Sequence, residues 1–455
     1  MEIEPMSEET AAVRCGIVGL GYVGLNLAEL FTAAGYTTVG YDIDRQKVSA
    51  LQAGRDPTGE FPDGTFADRP IEFTDAPASI GDCEFVFVAV PSPLDEHSEP
   101  DLSTLKAASE TVGEHLGEDA IVVYESTLYP GTTREELRPA LERGAARQGS
   151  PPFGVGYSPE RIVPGSAGKP ATEITKLVSA EDEPTRDRLQ ALFEGAIAGE
   201  VYPTKTIEVA EAAKCLENTQ RDINIALVNE FTMGAHQLDI DLDPYAVLEA
   251  AGSKWSFHDY RPGIVGGHCI PVDPHYLRHI FEEAGFEPAV LNSSRRVNER
   301  MRSHVATITA DALESAGKHL PPAEEGLVRG DGSGQLSPPR LLLLGLAYKP
   351  NVSDLRNSPA LGVADELQSE GIEVVGHDPL ADAEVADAAF DFEIQPTADF
   401  EGCDGVAVLT PHDELRSLDL ESAAESMADE PVFVDVGNAF DQDAVTAAGF
   451  SYRRP

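Results

Sequence analysis

Lysine is scarce in this chain. Nine of its 455 residues are lysine, against 24 arginines and 79 acidic residues, for a net charge of −46. A field of that sign repels nucleic acid and anionic membranes, which excludes both as partners. It also repels itself unless screened, and the screening length falls to about 3 Å only near 1 M salt. The balance is therefore that expected of a halophile's protein. The acidic residues are spread along the chain and form no tail, so an acidic interaction segment is not expected. Cysteine is equally sparse: five residues, odd in number, far apart, with no CxxC pair. That excludes a disulfide framework and fits reduced thiols in a cytoplasm. No apolar run approaches the ~20 residues that span a bilayer. The opening "MEIEPMSEET" has no basic, apolar leader, so a cytoplasmic protein is expected. The length exceeds what one hydrophobic core serves, and two or three domains are expected.

What is present is an α/β rhythm. "RCGIVGL" precedes a helical "YVGLNLAELFTAAG" and a strand-like "TTVGYDID", and "CEFVFVAVPSP", "AIVVYESTLYP" and "FGVGYSPER" follow. Val- and Ile-rich runs alternating with helices predict βαβ units and a mostly parallel sheet. Residues 206–238 read as one long helix with no proline, and shorter helices follow to about 317. The α/β rhythm returns in "RLLLLGL", "SPALGVADELQSEG", "IEVVGHDP", "CDGVAVLTP" and "PVFVDVGN". The fold class expected is α/β, with two Rossmann-like doubly wound parallel sheets joined by a long central helix and a helical connector. The expected division is a dinucleotide-binding domain over 1–203, a helical domain over 204–318, an acidic Pro/Gly linker over 319–339 and a second Rossmann-like domain over 340–455.

Gly19-x-Gly21-x-x-Gly24 lies between a predicted strand and a predicted helix, which is the context a dinucleotide fingerprint requires. The first glycine makes the tight turn, the second admits the pyrophosphate, and the third lets helix pack on strand. Tyr22 and Val23 sit inside this turn and are counted with it. Asp42, about twenty residues on, is where an acid accepts ribose hydroxyls and repels a 2′-phosphate, so NAD is expected rather than NADP. Asp44 and Arg45 could bond the adenosine, but a solvated helix start is the simpler reading. Strand ends at Val90 and Pro91, at Ser126 and Thr127, and at Glu160 and Arg161 fall on the sheet edge where open α/β folds bind ligands.

On the long helix Lys214 and Asn218 share a face at i and i+4, about 6 Å apart, a pair able to hold an oxyanion. Arg221 and Asp222 continue that face. The loop "RPGIVGGHCIPVDPHYL", 261–277, gathers His268, Cys269, Asp273 and His275. These are zinc-ligand types, but adjacent His268 and Cys269 cannot easily both reach one tetrahedral ion, and no second cluster completes a set, so no metal is expected. The alternatives are a nucleophile and coincidence. As a nucleophile, Cys269 follows glycines that admit a substrate, Lys214 would lower the thiol's pKa, and Asp273 could serve as a base for water. Cys15, Cys83, Cys215 and Cys403 read as small apolar fillers.

Taken together, "GIVGLGYVGLNLA", "VAVPSPLDEHSEPDLSTL", "ESTLYPGTT", "YSPERIVPG", "KCLENTQRDINIALVNE", "GGHCIPVDPHYL" and "LGLAYKPNVSDLRNSPA" resemble the UDP-glucose/GDP-mannose dehydrogenase family over nearly the whole chain. These are NAD-dependent four-electron enzymes that oxidise C6 of a nucleotide sugar to a carboxylate. "GGHCIPVDP" and "ENTQRDINIALVNE" look most like the subgroup acting on UDP-N-acetylhexosamines, since the UDP-glucose enzymes usually carry a different loop around the thiol. The resemblance implies that Cys269 captures the C6 aldehyde, that Lys214 and Asn218 hold the oxyanion, and that Asp273 assists proton transfer. It implies that Glu160 and Thr127 position the hydrolytic water, and that Arg161 belongs to the substrate site. It also implies that Lys349 and Arg356 reach the diphosphate or sugar, and that Phe257, Tyr260, Gly266 and Gly267 line the nucleotide pocket. The long helix would form the core of a homodimer. The stretch 320–339 is longer than the family pattern.

The implied chemistry makes an aldehyde, then a thiohemiacetal on Cys269, then a thioester that water hydrolyses. Three other readings stay open: UDP-glucose oxidation by the same route, a two-electron hydroxyacid dehydrogenase, and a non-catalytic NAD-binding regulator. The hydroxyacid enzyme would need neither Cys269 nor residues 340–455. The regulator would need none of the polar constellation in register.

Overall fold

The computed structural model describes residues 13–149, 151–162, 171–321 and 337–455. Most of the linker expected over 319–339 lies outside the described residues, as do the last three residues of "YSPERIVPG". The chain gathers into two compact units, Met1–Asn218 with Val272–Glu287, and Thr219–Pro271 with Pro288–Pro455.

The first unit is built on an eight-stranded sheet. Its strands are β1 (Arg14–Val18), β2 (Thr37–Tyr41), β3 (Ile71–Thr74), β4 (Phe85–Val88), β5 (Ala120–Tyr124), β6 (Phe153–Tyr157), β7 (Lys176–Ala180) and β8 (Val201–Pro203). Their order is β3-β2-β1-β4-β5-β6-β7-β8, parallel throughout except that β7 runs antiparallel to β6. β4 and β5, "FVFV" and "AIVVY", are buried at every position, because a parallel sheet covered on both faces requires continuous apolar runs. Helices α1 (Tyr22–Ala33), α2 (Arg45–Gln52), α3 (Ser103–Gly113), α4 (Arg138–Ala145) and α5 (Glu183–Ala196) connect the strands. Phe31, Phe87 and Phe193 stack between α1, the sheet and α5, with centroids 4.8 to 5.8 Å apart.

The second unit repeats the plan on six parallel strands. They are β9 (Arg340–Leu344), β10 (Glu373–His377), β11 (Glu393–Ile394), β12 (Gly405–Val408), β13 (Val432–Asp435) and β14 (Ser451–Arg453), in the order β11-β10-β9-β12-β13-β14. Both sheets reverse direction of winding between their first and fourth strands, the point at which doubly wound folds bind ligands.

Between the sheets in sequence come α6 (Ile207–Ala235), α7 (Pro244–Gly252), α8 (Asp273–Glu283) and α9 (Ala289–Ser315), and α10 (Pro359–Ser369) follows β9. The expected helix over 206–238 is therefore α6, 29 residues long, and its proline-free sequence is what permits that length. Aspartates start many of these elements. Asp44, Asp182 and Asp243 accept backbone N–H groups at the N-termini of α2, α5 and α7. Asp382, Asp419 and Asp441 do the same for the short helices Ala383–Ala389, Leu420–Ser426 and Gln442–Ala447. Part of the acidic excess thus satisfies otherwise orphaned donors and meets the positive end of each helix dipole.

Candidate active site

In the first unit the strand-end loops assemble as the glycine spacing predicted. Gly19 has φ +93°, and a Cβ there would lie 2.8 Å from the Ala89 carbonyl oxygen. A Cβ on Gly24 would lie 1.8 Å from the Gly19 oxygen, while one on Gly21 would meet nothing within 4 Å. Loop and helix are therefore pressed together at the first and third glycines and open at the second. α1 begins on Gly21 with no side-chain cap, so no N-cap side chain competes for the donors of its first turn. That arrangement fits a dinucleotide pyrophosphate. Replacing Gly24 by Ala is expected to weaken NAD binding by about tenfold or more, about 1.4 kcal/mol, measured by titration calorimetry.

Asp42 stands at the end of β2 but is less open than its sequence position implied. Its carboxylate accepts from Leu20 N at 2.8 Å, Asp44 N at 2.9 Å and Lys47 Nζ at 2.8 Å. Burial raises its pKa, and these bonds outweigh burial and bring it below the usual value. Asp42 thus braces the glycine turn through Leu20 N. Lys47, which was not anticipated, neutralises it. Asp44 is the cap of α2, in keeping with a helix start.

The neighbouring loops are stitched to one another. Ser126 Oγ donates to Val90 O at 2.6 Å, Ser92 Oγ donates to Thr127 O at 3.0 Å, and Tyr276 Oη donates to Ser92 O at 2.6 Å. Pro91 is exposed between them. At the end of β6, Glu160 accepts from Arg161 N at 2.6 Å and Ile162 N at 2.7 Å, and its other oxygen lies 3.4 Å from Lys176 Nζ. Arg161 is held in turn by Glu217 of α6, at 2.8 Å.

Lys176 also pairs with Glu125, which directly follows the apolar strand β5, at 2.7 Å. Burial pushes the Glu125 carboxyl up to about 8 against the pull of Lys176. Burial works against the Lys176 ammonium too, but Glu125 and Glu160 more than offset it. This buried trio was missed. The available signal was that one of only nine lysines sits inside a strand.

Lys214 and Asn218 share a face of α6 as the helical spacing suggested, and Asp273, at the start of α8, joins them. All three are nearly buried, with Asp273 only 1% exposed. Asn218 Nδ2 donates to Asp273 Oδ2 at 2.5 Å. Burial pushes the Asp273 carboxyl up to about 6, while Lys214 and Asn218 pull it down and Glu217 pushes it further up. Cys215 next to them is buried and donates to Leu128 O, an apolar filler as expected.

In the second unit Cys269 is exposed, whereas Cys15, Cys83, Cys215 and Cys403 are all buried. The loop before it is fixed at both ends. Asn229 of α6 grips Gly263 through both its N–H and its carbonyl, at 2.9 and 3.0 Å. Gly267, at φ +87°, donates to Asn357 O at 3.1 Å, and a Cβ there would strike the Tyr348 ring at 2.5 Å. Gly266 abuts Pro359 in the same way. Glycine at both positions is thus required by close approach.

Lys349 lies near both Cys269 and Arg221: burial and Arg221 push its ammonium down, and Cys269 holds it up. Its charge was expected beside the substrate's diphosphate or sugar, and it also lies near the thiol. Tyr260 meets Gln220 at 3.3 Å, and Phe257 is half-buried. Arg356 is bonded to Asp354 through Nε at 2.9 Å and Nη2 at 2.7 Å. Asp222, which the face-sharing argument put beside Lys214 and Asn218, is instead fully buried against Arg295 of α9. Among the described residues no group of three His, Cys, Asp or Glu side chains could hold a metal ion, and no helix is long and apolar enough to cross a membrane.

Three family models account for most of the chain. They are the NAD-binding domain of the UDP-glucose/GDP-mannose dehydrogenase family over residues 13–197, its central domain over 208–300 and its UDP-binding domain over 342–442. The chain is 38% identical over 366 residues to protein CapL of Staphylococcus aureus, covering 80% of this chain and 82% of that one. It is 37% identical over 400 residues to the UDP-N-acetyl-D-glucosamine 6-dehydrogenase of Pseudomonas aeruginosa, covering 87% and 90%. Among solved structures, a UDP-D-ManNAc dehydrogenase from Pyrococcus horikoshii matches with TM-score 0.81 at 30% identity, covering 97% of this chain and 99% of that one.

Proposed function

The chain belongs to the UDP-glucose/GDP-mannose dehydrogenase family, and on that premise we propose that it oxidises C6 of UDP-N-acetylglucosamine, or an epimer of it, to the uronic acid. The observation that carries the reading is the buried Lys214–Asn218–Asp273 cluster in a chain whose one exposed thiol, Cys269, precedes Asp273 by four residues. The acetylhexosamine choice is supported by the loop "GGHCIPVDP" and by the P. aeruginosa relative's stated substrate.

Each residue then has a task. Gly19, Gly21, Tyr22, Val23, Gly24, Asp42, Val90, Pro91, Ser126 and Thr127 hold NAD, which accepts one hydride in each of two oxidations. Lys214 and Asn218 stabilise the C6 oxyanion by charge and hydrogen bonding. The Cys269 sulfur bonds to the C6 aldehyde carbon, and the thiol proton passes to the new alkoxide oxygen. Loss of hydride from that carbon to NAD, with the adduct's hydroxyl proton passing to Asp273, leaves a thioester. Water, aligned by Glu160 and Thr127, adds to the thioester carbonyl. The C–S bond breaks, and the thiolate regains its proton. Asp273, close to half ionised near pH 6, takes up and returns the protons. In the second unit Lys349, Arg356, Phe257, Tyr260, Gly266 and Gly267 receive the nucleotide diphosphate, and Arg161 in the first belongs to the sugar site.

Asp273 gives a pH dependence of known sign. Its folded pKa, about 6, is above the unfolded value, so its contribution to stability is full below about pH 4 and is lost as pH rises through about 6. The base form appears over the same window. The acid limb of the kcat profile is expected near pH 6 and should vanish in Asp273→Asn. A limb unchanged in that variant would assign the titration elsewhere.

The wider reading has four parts. The domain division is an NAD domain over 1–203, a helical domain over 204–318, a linker over 319–339 and a UDP-sugar domain over 340–455. The assembly is a homodimer on α6, whose Val209, Leu216 and Leu227 are at least half exposed. The setting is a cytoplasm at molar salt, argued from the charge of −46 and five reduced thiols. The pathway is surface-polysaccharide or glycan synthesis, which uses such uronic acids.

The test is the NADH yield per UDP-N-acetylglucosamine consumed in molar KCl, where two NADH are expected. One would restore the two-electron reading. No turnover here but two NADH with UDP-glucose would keep the chemistry and change the sugar.

A further inference from the structure

One carboxylate in the second unit joins Arg356, a proposed phosphate contact, to His268, the residue before the proposed nucleophile. Asp354 accepts from Arg356 N at 3.0 Å, Nε at 2.9 Å and Nη2 at 2.7 Å, a forked grip on the guanidinium. Its Oδ2 also lies 3.3 Å from His268 Nε2. The Asn357 side-chain amide donates to His268 Nδ1 at 3.2 Å, which fixes the imidazole as an Nε2–H donor to Asp354. His268 stands edge-on to Tyr348, ring centroids 5.7 Å apart, and immediately precedes Cys269. The loop is also tied down by Gly267, whose N–H reaches Asn357 O. Burial raises the Asp354 pKa, but the bonds from His268 and Arg356 more than reverse this and hold the group well below the usual carboxylate range.

Arg356 and His268 differ in freedom. The Arg356 side chain is 73% exposed, and its guanidinium is held by this one carboxylate. A ligand phosphate offers the same forked acceptor with more charge, and so competes with Asp354 for it. When the Arg356 guanidinium turns to a phosphate, the carboxylate keeps its backbone bond from Arg356 N at Oδ1, and Oδ2 is left to His268. The hydrogen bond to the imidazole is then the one side-chain bond it retains among those described.

We propose that Asp354 is a positioning residue that sets the Cys269 loop through His268, and that Arg356 makes this hold depend on whether a nucleoside diphosphate occupies its guanidinium. Binding of the nucleotide end thereby tightens the thiol loop before any oxidation. The inference rests on Cys269 as nucleophile and Arg356 as a phosphate contact.

The test uses UDP as the probe and the alkylation of Cys269 by iodoacetamide as the readout, since the other four thiols are buried. In the wild type UDP is expected to slow alkylation at least about fivefold, the lower range of measured couplings between sites. In Asp354→Asn, UDP still binds by calorimetry, but most of the slowing is lost. His268→Gln, which keeps a donor at the Nε2 position, retains the coupling, and His268→Ala loses it. With UDP-sugar, Asp354→Asn lowers kcat by about tenfold without raising KM, because Arg356 is released while the thiol loop is loosened. An equal UDP response in wild type and Asp354→Asn would mean that UDP merely shields the thiol, and the proposal fails. Unaltered UDP affinity in Arg356→Met would remove the phosphate competition and overturn it too. Neither readout depends on NADH yield, so a one-NADH result would fail the reaction scheme and leave the coupling to its own test.

Discussion

Cys269→Ser is expected to lower steady-state turnover by about 10³-fold or more, the scale on which enzymes lose rate when a covalent nucleophile is removed. The first oxidation needs only an acceptor and a base for the C6 hydroxyl, so it survives. The second needs an adduct at the aldehyde carbon. A serine hydroxyl, with no dedicated base, is a far poorer nucleophile than a thiol whose ordinary pKa is near 8.5. A single turnover of the variant should release one NADH and leave the sugar at the aldehyde level, trappable with a hydrazine. Full release of two NADH at an undiminished rate would remove Cys269 from the mechanism. Lys349, in the same unit, lies near enough to interact electrostatically with Cys269, and a cation there favours the thiolate. Lys349→Met should therefore slow thiol alkylation even without substrate.

Asp222→Ala is expected to destabilise the second unit by about 3 kcal/mol, because it leaves the Arg295 guanidinium without its buried counter-charge and with only the exposed Glu299, 3.8 Å away, to offset it. Asp222 is fully buried and accepts from Arg295 Nη1 at 2.5 Å, Ser294 Oγ at 2.9 Å and Asn298 Nδ2 at 2.8 Å. The loss should appear as a fall of about 10 °C in the thermal transition of that unit. The double variant with Arg295→Met should recover part of it, since the uncompensated charge goes with the arginine. A shift no larger than that of a surface substitution, about 0.5 kcal/mol, would deny the network its structural role. Activity should fall as well. Asn298 Oδ1 accepts from Asn229 at 2.9 Å, and Asn229 grips the loop that carries the thiol.

What the sequence made legible was whatever depends on local spacing. The glycine turn, α6 and the Lys214–Asn218 pair follow from spacings of two, three or four residues, and the burial of β4 and β5 from unbroken apolar runs. The short strands β3, β7, β8, β11 and β14 were not foreseen. β11 has two residues and β14 three, too few to show a period, and β7 opens on a lysine that only its partners Glu125 and Glu160 explain. Longer-range pairings were illegible for a different reason. His268 and Asp354 are 86 residues apart in the chain, and Asp222 and Arg295 are 73 apart. No local pattern joins them. Arg221 and Asp222 were read as extending one helix face, yet a step of a single residue turns a side chain about 100°, and that turn sends Asp222 into the core.

The six aspartates that start helices bear on any redesign of this chain for low salt. Diluting its charge by exchanging surface acids for lysine would treat all 79 as equivalent, and they are not. Asp44, Asp182, Asp243, Asp382, Asp419 and Asp441 each hold backbone N–H groups, and lysine at any of them would open a helix end and set a cation against the positive pole of the dipole. Asparagine accepts the same hydrogen bonds with no charge. A low-salt version can therefore shed six negative charges at these sites by a one-atom-group change, and should take its lysines only from acids that touch nothing but water.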